Sequence, residues 1–167
     1  MKTDIQQQFD ALFDAHAQRI AQERQAKAVR ESREDDFERE FKQRCDTSIT
    51  SAFGQLGEYL KTKGLKTRVE QTQERRGRDG TLQRERAITL RLLIGDEDRH
   101  YPEYEQPHLS LICDKSKQLV HIIESTTTLQ SGGQSHTLGS VKIEQLTDEF
   151  LQQKVLQLLQ DVLGSGQ

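Results

Sequence analysis

The stretch from Lys66 to Arg91 concentrates the side chains best suited to holding an anion. It contains Lys66, Arg68, Arg75, Arg76, Arg78, Arg84, Arg86 and Arg91 against Glu70, Glu74, Asp79 and Glu85, a local net charge of +4. Arginine presents a planar fork of N–H donors that matches phosphate or carboxylate. The Asp79-Gly80 pair is a strong hairpin signal, so Arg75, Arg76 and Arg78 are predicted at a hairpin tip. Strand alternation puts Arg84 and Arg86 on one face. These five arginines are candidate contacts for an anion or a macromolecular partner. Two features oppose a nucleic-acid reading: no aromatic residue is interleaved to stack bases, and the four acids dilute the field. The same charges would also serve a solvated edge hairpin that resists aggregation.

An acidic stretch follows. Asp96, Glu97, Asp98, His100, Glu103, Glu105 and His108 fall within thirteen residues, beside Tyr101 and Tyr104. Carboxylates and imidazoles are ligands for divalent metals. The spacing fits neither an EF-hand nor a zinc signature, so neither a metal nor a cofactor is assigned. From Asp96 to Glu105 the net charge is −4. This loop is therefore a complement in sign to the basic hairpin, within one molecule or between two.

Nucleophilic chemistry has weaker signals. Cys113 lies in a predicted strand with His108 and His121 in the same hairpin. Alternation turns Cys113 away from His108, and nothing resembles a strained nucleophile elbow. Cys113 reads as a small buried apolar residue. Ser125-Thr126-Thr127-Thr128 followed by Ser131-Gly132-Gly133 has no P-loop lysine or helix after it. No catalytic residue is assigned.

The elements that must position these groups fall into two kinds. Lys2–Lys63 contains no proline, and its first glycine is Gly54. It reads as one very long helix, or as two meeting near Asp46-Thr47-Ser48, capped at Thr3 or Asp4 and ended by Gly64. Ile5, Phe9, Leu12, Phe13, His16 and Ile20 recur at three- and four-residue steps on one face. From Gln22 to Glu40 the stripe thins and acid-first i,i+4 pairs replace it: Glu23/Lys27, Asp35/Arg39, Glu38/Lys42 and Glu40/Arg44. Each such pair contributes about 0.2–0.5 kcal/mol. The stripe returns as Phe37, Phe41, Cys45, Ile49, Ala52, Leu56 and Tyr59, a heptad spacing for part of its length.

After Gly64 the pattern changes to short alternating runs. Leu65–Glu74 is a first strand, Arg75–Gly80 a turn and Thr81–Ile94 a second strand. Gly95–Pro107 is a polar loop. His108–Cys113 is a third strand, Asp114–Lys117 a tight turn and Gln118–Thr128 a fourth strand. Leu138–Glu144 is a short fifth. Thr147 caps a last helix whose stripe is Leu151, Val155, Leu158 and Val162, widened by Leu159 and Leu163, with Leu146 as a staple. No crossover of ten residues separates the strands. The fold class is therefore α+β: an N-terminal helical arm (1–63), and a head (64–167) with an antiparallel meander of five strands and a C-terminal helix packed on it.

Composition narrows the function classes. Of 167 residues, 32% are hydrophobic and 31% charged, with net charge −3, so no whole-molecule basic signal for nucleic acid exists. The apolar deficit is concentrated in Gln22–Asp36, which implies a solvated or partnered helix. Cys45 and Cys113 have no disulfide or metal spacing and read as reduced thiols in a cytoplasmic protein. No signal-peptide or membrane-spanning run is present. Asp10 and Asp14 beside the first apolar stripe oppose binding to anionic lipid, so no membrane partner is expected. The glutamine-rich, tryptophan-free composition is compatible with a bacterial protein. The expected function is non-enzymatic: a cytoplasmic interaction protein that forms a homodimer through a coiled-coil-like N-terminal helix and binds a protein partner through the head. The alternatives are nucleic-acid binding by the arginine hairpin 66–91 and a metal-dependent enzyme using the acidic loop 96–108.

Overall fold

A computed structural model of the chain describes residues 2–94, 106–126 and 135–164. Helix α1 spans Thr3–Arg44, a π-helical turn covers Cys45–Ile49, and α2 continues over Thr50–Thr62. Strands β1 (Lys66–Thr72), β2 (Arg75–Arg76), β3 (Leu82–Arg84), β4 (Ala87–Leu93), β5 (His108–Asp114), β6 (Leu119–Ser125) and β7 (Ser135–Val141) follow, then a 3-10 turn at Ile143–Gln145 and helix α3 (Asp148–Leu163). The main sheet has five antiparallel strands in the order β1-β4-β5-β6-β7, and β2 and β3 make a separate two-stranded sheet. The fold is α+β, as the residue pattern predicts.

The chain divides into two compact units, Met1–Asp36 and Phe37–Gln167, with the boundary inside the α1 range. In the first unit the helix carries its apolar residues in the open: Leu12 is 71% exposed and Phe13 69%, with Ile5 and Phe9 also exposed. Among the described residues no helix is long and apolar enough to cross a membrane.

The second unit holds the core. On one face of the sheet lie Ile88, Leu90, Leu92, Leu109, Leu111, Val120 and Ile122, all buried. Phe41, Ile49, Phe53, Leu151, Val155 and Leu158 join them in one cluster from the helical side. Phe37, Phe41, Cys45, Ile49 and Phe53 are all buried and recur every four residues. An α-helix has 3.6 residues per turn, so a strict four-residue repeat drifts by roughly 40° per step. The π turn absorbs that drift, because an i→i+5 turn contains an extra residue. Its backbone is well satisfied: Thr50 donates its N–H to the Cys45 and Thr47 carbonyls, its hydroxyl also donates to the Cys45 carbonyl, and the Thr47 hydroxyl donates to the Gln43 carbonyl at 2.7 Å. Helix continues through Asp46-Thr47-Ser48, and the only irregularity there is this turn.

Ala52 is buried as the heptad expects, and the rephasing corrects that expectation at its far end. Tyr59, expected on the buried stripe, is 60% exposed, while Phe53 and Leu60 are buried. The other corrections are of boundaries. The expected second strand, Thr81–Ile94, is broken at Glu85-Arg86, where β3 leaves the small sheet and β4 enters the large one. The expected fifth strand, Leu138–Glu144, begins earlier at Ser135, and its last residues form the 3-10 turn. In α3 Thr147 accepts the cap hydrogen bond from the Phe150 N–H at 3.2 Å. Leu151, Val155 and Leu158 are buried, but Leu163 is exposed at the end of the helix.

Candidate functional site

Ile5, Phe9, Leu12, Phe13, His16 and Ile20, the residues assigned to self-association, share one helical face. Ile20 is half-buried and the others are exposed. At four and three residues apart they lie over successive turns. The one polar member meets a neighbour: the Arg19 guanidinium lies 3.0 Å from His16 Nδ1. Arginine has donors only, so in this contact that nitrogen accepts.

The five arginines of the hairpin do not converge on one point. Arg75 and Arg84 face each other across β2 and β3. Arg76 reaches back to the Gly80 carbonyl at 3.0 Å and to Glu74 at 3.1 Å. Arg84 donates to the Gln73 carbonyl at 3.1 Å. Arg86, expected beside Arg84, instead ion-pairs with Glu38 of α1 at 3.3 Å. Farther along the strands, Arg91 is held by Glu70 at 3.0 Å. The acids read as diluting the field in fact neutralise particular arginines.

Arg86 belongs to a half-buried ion network. Lys115 lies 3.4 Å from Glu38 and 2.8 Å from Glu74, so it bridges two carboxylates that are also paired with Arg86 and Arg76. Burial opposes charge on Glu74, but the Lys115 ammonium and then Arg76 outweigh it and hold the carboxyl below its ordinary value. Burial likewise works against the Lys115 ammonium, and Glu74 and Glu38 more than compensate, raising its pKa. Glu38 is therefore drawn out of the i,i+4 pair expected with Lys42, which pairs with Asp46 at 3.5 Å instead.

Most of the acidic loop, residues 96–105, lies outside the described residues. His108, its last member, begins β5 and donates from Nδ1 to the Gln106 carbonyl at 2.9 Å. Burial, with the Arg91 guanidinium adding to it, pushes this imidazole below its ordinary pKa. Among the described residues no group of three or more His, Cys, Asp or Glu side chains could hold a metal ion. Cys45 and Cys113 are both buried free thiols. Burial pushes each of them up to about 12, so neither is a thiolate nucleophile near neutral pH.

Two groupings escape inspection of the sequence. The first is Glu124, fully buried on the helical face of β6. His136 of β7 lies 3.1 Å from its Oε2. Burial first, and the Asp161 carboxyl second, push the Glu124 carboxyl above its ordinary value. A carboxyl raised in the folded state stabilises fully below its unfolded pKa, and that contribution is lost as pH rises through the folded value. Stability is therefore expected to fall with rising pH above the ordinary carboxylate range. Glu124→Gln should flatten that limb and raise stability at neutral pH, as read from urea midpoints between about pH 4 and 8. An unchanged slope in the variant would count against this reading.

The second grouping lies on the sheet face turned away from the helices. Asp114 closes β5, His121 sits in β6 and Ser140 in β7. His121 Nε2 is 2.7 Å from Asp114 Oδ2, and His121 Nδ1 is 2.5 Å from Ser140 Oγ. Alternation in the sequence places His121 with Leu119 and Ile123, but Ser140 arrives through a bulge. Thr137 pairs with Ile123 and Gly139 with Ile122, so Leu138 is the extra residue that shifts Ser140 opposite His121. Gly139 has φ +117°, a conformation that favours glycine. A glycine inside an alternating run is the one sequence signal for such a bulge.

No known family model, no curated protein and no solved structure matches this chain.

Proposed function

We propose that this chain is an interaction protein that pairs with a second copy of itself through Ile5, Phe9, Leu12, Phe13, His16 and Ile20, and binds a protein partner through the head, residues 64–167. The observation that carries the reading is the exposure of Phe9, Leu12 and Phe13 on one helical face, at 52%, 71% and 69%. Together these side chains present apolar area on the order of a few hundred Å², the size at which a surface patch marks an association site. In heptad terms Ile5, Phe9, Leu12 and His16 alternate d and a, while Phe13 and Ile20 fall at e, so the stripe is wider than a strict two-position seam. No charged residue occupies the e and g positions between Ile5 and Gln22. A second copy supplies the same aromatic-rich surface with uncharged flanks; the one charge in the seam is Arg19 at d, whose guanidinium lies against His16. A cytoplasmic setting agrees with two thiols that stay reduced and buried.

The test is light scattering of the full chain against Phe9→Glu/Leu12→Glu. Both side chains are exposed, so the substitution should leave the Phe37–Gln167 core and its melting transition in place. The wild type should have twice the monomer mass at tens of micromolar, and the variant the monomer mass. A wild type that stays monomeric would sink the proposal, as would a variant that remains a dimer. The nucleic-acid alternative finds little support in the hairpin, because Arg76, Arg84 and Arg86 are already engaged within the chain.

A further inference from the structure

The row of side chains that crosses the sheet through His121 leads into a cleft. In register, Thr72 of β1 faces Ala87 of β4, Ala87 faces Ile112 of β5, Ile112 faces His121 of β6, and His121 faces Ser140 of β7. Thr72, Ala87 and Ile112 also line a cleft of about 330 Å³, walled on its other side by Leu82, Gln83, Arg84 and Glu85 of the small sheet and the residue after it. That volume falls within the range of small-molecule sites. The cleft therefore abuts a hydrogen-bonded Asp–His–Ser chain, two strand spacings from Ile112 to Ser140, roughly 9–10 Å.

The direction of the hydrogen bonds in that chain follows from the chemistry. Asp114 is a carboxylate: burial works against its charge, but hydrogen bonds from His121, the Ser116 hydroxyl and the Lys117 N–H hold it below its ordinary pKa. Ser116 and Lys117 both bind Oδ1, at 2.8 and 3.1 Å, so Oδ2 is left for His121. An ionised carboxylate only accepts, so His121 Nε2 donates to Asp114 Oδ2. In the neutral tautomer compatible with that bond, Nδ1 accepts from the Ser140 hydroxyl. This is the nucleophile, base and orienting carboxylate of acyl transfer, recognised by geometry rather than by order in the chain. The ring is used in the opposite sense from the familiar arrangement, with Nδ1 toward the serine. Ser140 itself is exposed and open to a substrate.

We propose that Ser140, His121 and Asp114 form an esterase site whose acyl pocket is the cleft lined by Leu82, Ala87 and Ile112. Ser140 Oγ attacks the ester carbonyl carbon as its proton passes to His121 Nδ1. The ester C–O bond breaks, and the departing alcohol oxygen takes that proton, leaving an acyl ester on Ser140. Water then attacks the acyl carbon, giving its proton to His121. The serine oxygen leaves with that proton and the carboxylic acid is released. Overall, ester and water become acid and alcohol. Ser140 and His121 are the catalytic residues, and Asp114 is a positioning residue. The pocket suits an acyl chain of medium length, because the span from Ile112 to Ser140 must be filled. This activity goes beyond self-association and does not depend on it.

The test uses the full chain with p-nitrophenyl hexanoate and, separately, a fluorophosphonate probe followed by peptide mass spectrometry. The probe should add to Ser140 alone, and Ser140→Ala and His121→Gln should each lower hydrolysis by about 100-fold or more. Asp114→Asn should lower kcat and alter its pH profile, which a purely structural role would leave in place. Because Ser140 is exposed, Ser140→Ala should keep the wild-type melting temperature, so its loss of activity can be read as chemistry. Probe that misses Ser140, or hydrolysis equal in the wild type and Ser140→Ala, would overturn the assignment.

Discussion

Phe53→Ala should lower the unfolding free energy by about 3–5 kcal/mol, the usual loss for a buried aromatic truncated to a methyl group. Tyr59→Ala, six residues on, should change it by no more than about 0.5–1 kcal/mol. The contrast follows from the π turn at Cys45–Ile49. A heptad continued unbroken from Cys45 through Ile49, Ala52 and Leu56 would bury Tyr59 and leave Phe53 off the seam. In the structure Phe53 is fully buried and Tyr59 is 60% exposed, with Lys63 Nζ 5.7 Å from its ring centre. Phe53 packs in the same cluster as Phe41, Ile49 and Leu60, so its removal leaves a cavity that neighbours on both helix and sheet would have to fill. Guanidinium titrations of the two variants beside the wild type measure the difference directly. Equal effects would mean that the helix is not rephased.

Lys115→Ala should destabilise the chain by about 1.5–3 kcal/mol near neutral pH, the scale of hydrogen bonds to charged groups. The substitution leaves Glu38 and Glu74, each mostly shielded from water, without the ammonium that bridges them. Arg86 and Arg76 still pair with them, which keeps the loss below that of an isolated buried ion pair. The pH dependence separates this from a packing defect. Glu74 is held below its ordinary pKa, so its contribution is present above the unfolded value and is lost as pH falls through the folded one. Lys115 is held above its ordinary pKa, so its contribution is present below the unfolded value and is lost as pH rises through the folded one. The gap between wild type and variant should therefore be widest around neutrality and close towards both the acidic and the strongly alkaline ends. A gap that stays constant across pH would show that the alkyl stem of Lys115, and not its charge, is what matters.

The fold was largely legible because its signals are local and repeated. The absence of proline from Lys2 to Lys63, the Thr147 cap and the stripe from Leu151 to Leu158 are each set by neighbours within a turn or two. The antiparallel order follows from the tight turn at Asp114–Lys117 and from the lack of any helical pattern between the strands that could carry a crossover. The boundaries were less legible. Thr81–Ile94 alternates without interruption, yet Glu85-Arg86 is where the chain passes from one sheet to the other. Which neighbours offer their backbone at each point is not a property of the run itself.

The composition and periodicity of the chain were by themselves enough to determine the helical class of its beginning, the antiparallel sheet, the terminal helix and the apolar face of Ile5–Ile20. Tertiary structure alone decided which charges meet. Glu38 has Lys42 at helical spacing, but the junction between β3 and β4 and the turn after β5 bring Arg86 and Lys115 to it. It also decided that Phe53 replaces Tyr59 in the core, through one widened turn. Most of all it decided the partner of His121. Nothing near His121 in the sequence points to Ser140, nineteen residues away. One extra residue at Leu138-Gly139 shifts the register so that a serine, and not a glycine, stands across from the imidazole. Strand pairing is a long-range choice, and a single-residue slip changes every side chain that faces its neighbour.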